Sequence, residues 1–292
     1  MACAAALLCI MCLLKKRFAF VLILLFPTLL YAVSPDETRF LIDVGNSSIA
    51  CGIYKGRIEQ CAFRCPTKEV TKTLLAECFL RGLKACGITP ESITQVGVTS
   101  VVPRVNEIIE AVSSDLFNQV PYFLTGETQD KIKILYRNPS EVGSDLIAGA
   151  IAAVERYPGK NCIVVDIGTA TTVCAINKNK EFLGAVIFPG PRMSVQALAR
   201  GTALLDSVTI KKPSAILADS TQGCIQAGIY YGQLGAIEAV TKRITEEHFS
   251  GDFSNTIILG TGGFSFLFKD EHCFTQIIPD LNLLGVLYAM AG

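Results

Sequence analysis

The pattern of hydrophobic and polar positions predicts one order of strands and helices, and this order occurs twice along the chain. Alternating apolar and polar positions predict strands at 39–44, 49–54 and 58–63. A helical period then covers 68–86, and a short buried strand follows at 96–100. The three-strand order returns from Asn161, with later helices and a final strand. The pattern therefore predicts an α/β protein built from two duplicated halves.

The first hairpin of each half carries the same polar turn. Residues 41–55 and 164–178 share an apolar run, an Asp (Asp43 or Asp166), a Gly with hydroxyl residues and a second apolar run. Such a turn exposes backbone N–H groups, hydroxyls and a carboxylate, which suits phosphate and its cation. The duplication resembles the phosphate-loop pair of the actin-like ATPase and sugar kinase superfamily. We therefore expect two ribonuclease-H-like domains with a cleft between them.

Composition argues against nucleic-acid binding and against His-based catalysis. The 292 residues hold 26 Lys and Arg against 26 Asp and Glu, so no electrostatic footprint for nucleic acid is visible. With 2 His in the chain, a general base is expected to be a carboxylate. The 12 Cys are scattered, and we interpret them as reduced thiols of a cytosolic protein.

The start of the chain does not match the rest. Residues 1–37 form an apolar extension with a basic cluster at 15–17. This has the form of a signal peptide, a membrane anchor or a translation start assigned too far upstream. Membrane contact is expected only if the extension is real. The predicted domains are then 38–157 and 158–292.

A polar segment before the third predicted helix carries a candidate base. Asp145 lies in the first turn of a helix predicted over 145–156. There it is either a helix-capping acid favoured by the helix dipole or a general base for a substrate hydroxyl.

Six ordered motifs resemble one family, the type III pantothenate kinases, over essentially all of 38–292. They are Asp43-Val44-Gly45-Asn46-Ser47, Ser100-Val101-Val102-Pro103, the segment Tyr136 to Asp145, Asp166 to Thr172, Gly184 to Gly190, and Gly201 to Leu205. The resemblance implies ATP-dependent phosphorylation of pantothenate to 4′-phosphopantothenate, the first step of coenzyme A synthesis, by a cytoplasmic homodimer.

The resemblance also implies a role for particular residues. Asp145 is the catalytic proton acceptor, Asp166 binds a monovalent cation (potassium or ammonium), and Mg²⁺ accompanies the ATP. The implied ATP-binding residues are Asp43, Val44, Gly45, Asn46, Ser47, Ser48, Ile49, Ala50 and Thr169. The implied pantothenate-binding residues are Tyr136, Gly143, Ser144, Asp145, Leu146 and, from the partner subunit, Thr202.

One departure from the family pattern leaves alternatives open. The family usually has Arg directly after the catalytic Asp, where this chain has Leu146. An apolar side chain cannot replace a charge-assisted contact to a carboxylate. The alternatives are a non-catalytic nucleotide- or pantothenate-binding regulator and another small-molecule kinase of the superfamily. The three retained carboxylates argue against the first, and the segment Tyr136 to Asp145 argues against the second.

Overall fold

The computed structural model of the protein describes residues 37–291. The predicted N-terminal extension lies almost wholly outside these residues. Over 37–291, the structure contains no helix with the length and apolar character needed to cross a membrane.

The first half of the described chain forms a five-stranded sheet. Its strand order is β3-β2-β1-β4-β5, with β1, β2 and β3 antiparallel and β4 and β5 parallel to β1. The strands are β1 (Thr38–Val44), β2 (Ser48–Lys55), β3 (Ile58–Pro66), β4 (Gln95–Ser100) and β5 (Tyr122–Phe123). Helices α1 (Lys72–Ala85) and α2 (Pro103–Phe117) pack on this sheet through a shared apolar core.

A second sheet repeats this topology. Within the described residues it has six strands in the order β11-β10-β7-β8-β9-β6, again with three antiparallel strands and a parallel one beside the first. The strands are β6 (Lys133–Ile134), β7 (Asn161–Ile167), β8 (Ala170–Ile176), β9 (Glu181–Pro189), β10 (Thr256–Thr261) and β11 (Gln276–Ile277). The remaining helices are α3 (Ser144–Arg156), α4 (Pro191–Gly201), α5 (Thr221–His248) and α6 (Leu281–Met290). The predicted α/β fold with two duplicated ribonuclease-H-like halves, the actin-like architecture, is confirmed.

The division of the chain at 157/158 stays a prediction, and two elements cross it. Strand β6 precedes that point but pairs with β9 of the second sheet. Helix α6, at the other end of the chain, packs against α3 and against β1 and β4. Both crossings arise from long-range packing that a local pattern does not show.

The prediction that the cysteines are reduced is wrong for four of them. Disulfides join Cys61 to Cys86 and Cys65 to Cys78, with Cα atoms 6.0 and 6.2 Å apart. Alternate residues of β3 face α1. Cys65 of the strand therefore meets Cys78 within the helix, and Cys61 meets Cys86 directly after it. Spacing along the chain did not reveal this pairing because it depends on how the strand packs on the helix.

Candidate active site

The turns of the two duplicated hairpins meet at the cleft. Ser47, after β1, and Thr169, after β7, have hydroxyl oxygens 2.9 Å apart. Each turn is closed by its own glycine, with the N–H of Gly45 donating to the carbonyl of Ser48 and that of Gly168 donating to Ala170. The sequence repeat thus becomes two facing turns with hydroxyls at their tips.

Asp43, Asp145 and Asp166 line one cavity, which has a volume of about 280 Å³. Asp43 lies near the end of β1 and Asp166 near the end of β7. Asp145 lies in the first turn of α3, where its carboxylate accepts a hydrogen bond from the N–H of Leu146 at 2.8 Å. All three were predicted from sequence, and the fold brings them together.

Burial disfavours the ionised form of all three carboxylates, and neighbouring carboxylates add to this effect at Asp43 and Asp166. Desolvation, followed by the charges of Asp145 and Asp166, raises the pKa of Asp43 to about 7. Desolvation and Asp145 raise the pKa of Asp166 to about 6. Desolvation also raises the pKa of Asp145. Cations would relieve this repulsion, so the cleft is suited to hold positive charge.

The donor set fits magnesium held jointly with phosphate. Over residues 37–291, no group of three or more His, Cys, Asp or Glu side chains could hold a metal ion by itself. Mg²⁺ usually binds one or two carboxylates and completes its octahedron with water and substrate phosphates. Separate carboxylates beside two turns with hydroxyl groups match that requirement, with Asp43 and Asp166 as the candidate ligands.

The glycine loop after β10 closes the cleft beside the second hairpin. Gly262 has φ +85°, and a Cβ there would lie 2.2 Å from the Asp166 carboxylate and 2.8 Å from the backbone of Ile167. A side chain therefore has no room at this position. Gly263 and Phe264 continue the wall of the cavity.

The hydroxyl of Ser144 anchors helix α3, which carries Asp145, to the end of β4. Its hydroxyl donates to the carbonyl of Ser100 and accepts from the Ser100 N–H and the Thr99 hydroxyl, each at 2.9 Å. A serine hydroxyl has one donor and two acceptor sites, so all are used within the chain. Ser144 was predicted to contact substrate, and in this structure it joins α3 to the end of β4.

Other predicted residues lie outside the cavity lining. Val44 and Ile49 are in the core, Ala50 is 5% exposed, and the Leu146 side chain packs against the core. Tyr136 lies beside Phe182, with ring centroids 6.4 Å apart. Thr202 is exposed and donates to the carbonyl of Leu198.

Sequence reasoning missed several residues that line the cavity. The principal ones are Arg64, Asp280 and Asn282. Arg64 is a basic residue within a strand of alternating apolar positions, which was the available signal. Asn282 carried no comparable signal, since it reaches the cleft through packing at the end of the chain.

Comparison with known proteins identifies the family. The family model described as type III pantothenate kinase matches residues 39–243, which is more than half of the chain. The chain belongs to the type III pantothenate kinase family. A type III pantothenate kinase of Legionella pneumophila (strain Corby) is 41% identical over 248 residues, covering 85% of this chain and 96% of the relative. The type III pantothenate kinase of Elusimicrobium minutum is 38% identical over 250 residues, with the same coverage.

Solved structures share the fold at low identity. A protein described as a Baf family transcriptional activator from Campylobacter jejuni has a TM-score of 0.50 and 18% identity, covering 84% of this chain and 92% of that one. A reductive activator for a corrinoid, iron–sulfur protein has a TM-score of 0.54 and 10% identity, covering 89% and 61%. At these identities the likeness shows the fold alone.

Proposed function

We propose that this chain transfers the γ-phosphoryl group of ATP to the primary hydroxyl of pantothenate, forming 4′-phosphopantothenate in coenzyme A synthesis. The observation that carries the proposal is the meeting of Ser47 and Thr169 beside three carboxylates, in a chain of this family. This arrangement offers donors for phosphate oxygens and acceptors for cations in one cleft.

The chain's own residues supply positioning and one proton acceptor. The turns after β1 and β7 bind the ATP phosphates through N–H and hydroxyl groups. Mg²⁺, when bound, neutralises charge on the β- and γ-phosphates. Asp145 accepts the proton of the pantothenate hydroxyl as that oxygen bonds to phosphorus and ADP leaves. Its raised pKa makes the carboxylate a better proton acceptor than an ordinary Asp.

The monovalent cation is assigned to Asp166. Its carboxylate is desolvated and lies within the field of Asp145, so its ionised form needs a positive partner. Potassium or ammonium would supply that charge beside the Mg²⁺ and the phosphates.

A homodimer is supported by exposed apolar side chains in the part of the chain that holds Thr202. Several large ones on β9, α4 and the segment after it are exposed: Val186 41%, Ile187 66%, Met193 40%, Leu204 89% and Leu217 86%. Covering them with a second subunit would bury the surface and bring Thr202 to the partner's cleft. Mixing Asp145→Asn protein with Thr202→Arg protein tests this, because mixed dimers retain one intact site. If the mixture stays as inactive as its components, the assignment of Thr202 is wrong.

We also infer a cytoplasmic location, since the reaction consumes ATP. The two disulfides give a direct check in cells. Alkylation of thiols before lysis should show in which redox state Cys61, Cys65, Cys78 and Cys86 occur. Full oxidation of these four cysteines inside living cells, and not only in the isolated protein, would favour an oxidising compartment and contradict the cytoplasmic assignment.

ADP release, coupled to a reporter reaction, tests the activity itself. Pantothenate should stimulate ADP release strongly, while hexoses and inorganic polyphosphate should not. ATP binding without any pantothenate-dependent turnover would favour the regulatory homologue. Turnover with a different acceptor would favour another kinase of the superfamily.

A further inference from the structure

An arginine on β3 lies on the cleft face of the first sheet. Arg64 pairs in register with Ala50 of β2, and Ala50 pairs with Asp43 of β1. Residues paired directly across neighbouring strands project from the same face. The residue between them is the small Ala50, and Arg64 and Asp43 both line the cavity.

The second half shows that the fold does not need a cation at this position. There the corresponding row of paired residues is Asp166, Thr172 and Ile187. Ile187 occupies the place of Arg64 and is 66% exposed. An arginine at this position is therefore specific to the first half of the chain and is not required by the duplicated fold.

The guanidinium is held by an ion pair that is easily exchanged. It lies 2.6 Å from the carboxylate of Asp280, and 52% of its side chain is exposed. A half-exposed ion pair contributes little to stability, so giving it up for a stronger anion costs little. Arginine suits such an exchange because its planar fork binds two oxygens at once and stays charged.

The other arginine lining the cavity, within the described residues, is placed differently. The guanidinium of Arg192 lies 5.8 Å from the centre of the Phe264 ring, beside the glycine loop after β10. Arg64 instead lies in the same row of paired residues as Asp43, on the cleft face of the first sheet. It therefore lies on the side of the cleft that is proposed to bind the cations and the ATP phosphates.

We propose that Arg64 exchanges Asp280 for the γ-phosphoryl group and stabilises the negative charge on its oxygens during transfer. The inference rests on the proposed kinase function. The bond from phosphorus to the ADP oxygen breaks, the bond to the acceptor oxygen forms, and the acceptor proton passes to Asp145. Arg64 stays protonated throughout and acts only through charge and hydrogen bonds.

Arg64→Gln tests the proposal, with Arg57→Gln as a matched control. Both changes remove one guanidinium, and Arg57 lies over the Tyr288 ring, outside the cavity lining. We expect Arg64→Gln to lower kcat roughly 10²–10³-fold, the usual effect of losing one transition-state donor. The ATP Kd should change less than threefold. Binding of ADP with aluminium fluoride, which mimics the planar phosphoryl group, should weaken by a similar factor to kcat.

Asp280→Asn separates catalysis from structure. It breaks the same ion pair but keeps the guanidinium, so we expect it to lose as much thermal stability as Arg64→Gln while retaining far more turnover. Equal losses of turnover in both variants would overturn the proposal, since the ion pair would then be structural. A raised pantothenate KM in Arg64→Gln, with unchanged kcat and unchanged aluminium fluoride binding, would also overturn it and place Arg64 on the acceptor carboxylate.

The two proposals fail in different ways. If wild-type protein shows no pantothenate-dependent turnover, the proposed function is wrong. The proposal for Arg64 is wrong if Arg64→Gln binds ADP with aluminium fluoride as tightly as wild type does.

Discussion

The side-chain amide of Asn282 donates a hydrogen bond to the carboxylate of Asp43, with Nδ2 and Oδ2 3.2 Å apart. Asn282 lies in the first turn of α6 and is 8% exposed. The same amide lowers the pKa of Asp166. One neutral residue near the end of the chain thus stabilises ionised carboxylates of both duplicated hairpins.

Replacing Asn282 should therefore shift the pH dependence of activity. Asn282→Ala removes the donor, so the pKa values of Asp43 and Asp166 should rise further. The acidic limb of the kcat/KM profile should move up by about one pH unit, because hydrogen bonds to charged groups are worth about 1.5–3 kcal/mol. Asn179→Ala, in an exposed turn, is the control. An acidic limb that stays in place would show that this hydrogen bond does not set the ionisation of the cleft.

The sequence predicted those parts of the site that arise from local chemistry. The Asp and Gly of each hairpin turn could be predicted because strand alternation and turn residues are local sequence signals. The same signals occur in both halves of the chain, which strengthened the prediction. Asn282 and Arg64 were not readable in this way. The first depends on α6 packing back against β1 and β4, and the second on the pairing of β3 with β2. The disulfides were missed for the same reason, since they join a strand to a helix across a packed interface.

Asp145→Asn should abolish most turnover and leave ATP binding intact. An amide cannot accept the hydroxyl proton, and a general base typically contributes ~10²–10⁴-fold. Single-turnover kinetics and an ATP titration would separate the two effects. Glu110→Gln, which changes an exposed acid on α2 outside the cavity lining, is the matched control. Near wild-type turnover in Asp145→Asn would mean that Asp145 acts only as a helix cap.

Activity should depend on potassium or ammonium. Burial and the charge of Asp145 raise the pKa of Asp166, so its ionised form needs a cation beside the phosphates. Rates should be compared in potassium and sodium buffers of equal ionic strength, for wild type and for Asp166→Asn. The variant should be slow in both buffers. Equal rates for wild type in sodium and in potassium would remove the assignment.

Leu146→Arg should tighten pantothenate binding. An arginine can keep its stem on the apolar surface that Leu146 covers and extend its guanidinium to solvent or ligand. The guanidinium of Arg104 does not offer such a partner, because it donates to the backbone carbonyl of Thr67 and does not line the cavity. Hydrogen bonds to charged groups are worth roughly 1.5–3 kcal/mol, so the KM should fall on the order of tenfold, with kcat changing less.

Leu146→Met is the control for that substitution, because it changes the shape of the side chain without adding charge. An unchanged pantothenate KM in Leu146→Arg would show that the carboxylate is bound elsewhere in the cleft. Such a result would also be expected for an acceptor without a carboxylate. The panel of acceptors used for ADP release distinguishes the two explanations.

Asp43 should make the cation-free protein less stable as pH rises. Its pKa is raised from 3.8 to about 7 in the folded protein. Between these values the folded state binds more protons than the unfolded state, so the free energy of unfolding falls with increasing pH.

Asp43→Asn removes this dependence and should be more stable than wild type at pH 8 in chelator, by roughly 1–3 kcal/mol, since one pKa unit is worth about 1.4 kcal/mol. Thermal unfolding from pH 5 to 8 measures it. Mg²⁺ with ATP should stabilise wild type at pH 8 and stabilise Asp43→Asn much less, because the ionised carboxylate is the proposed ligand of the cation. A wild-type stability that rises through this pH range in chelator would contradict the raised pKa.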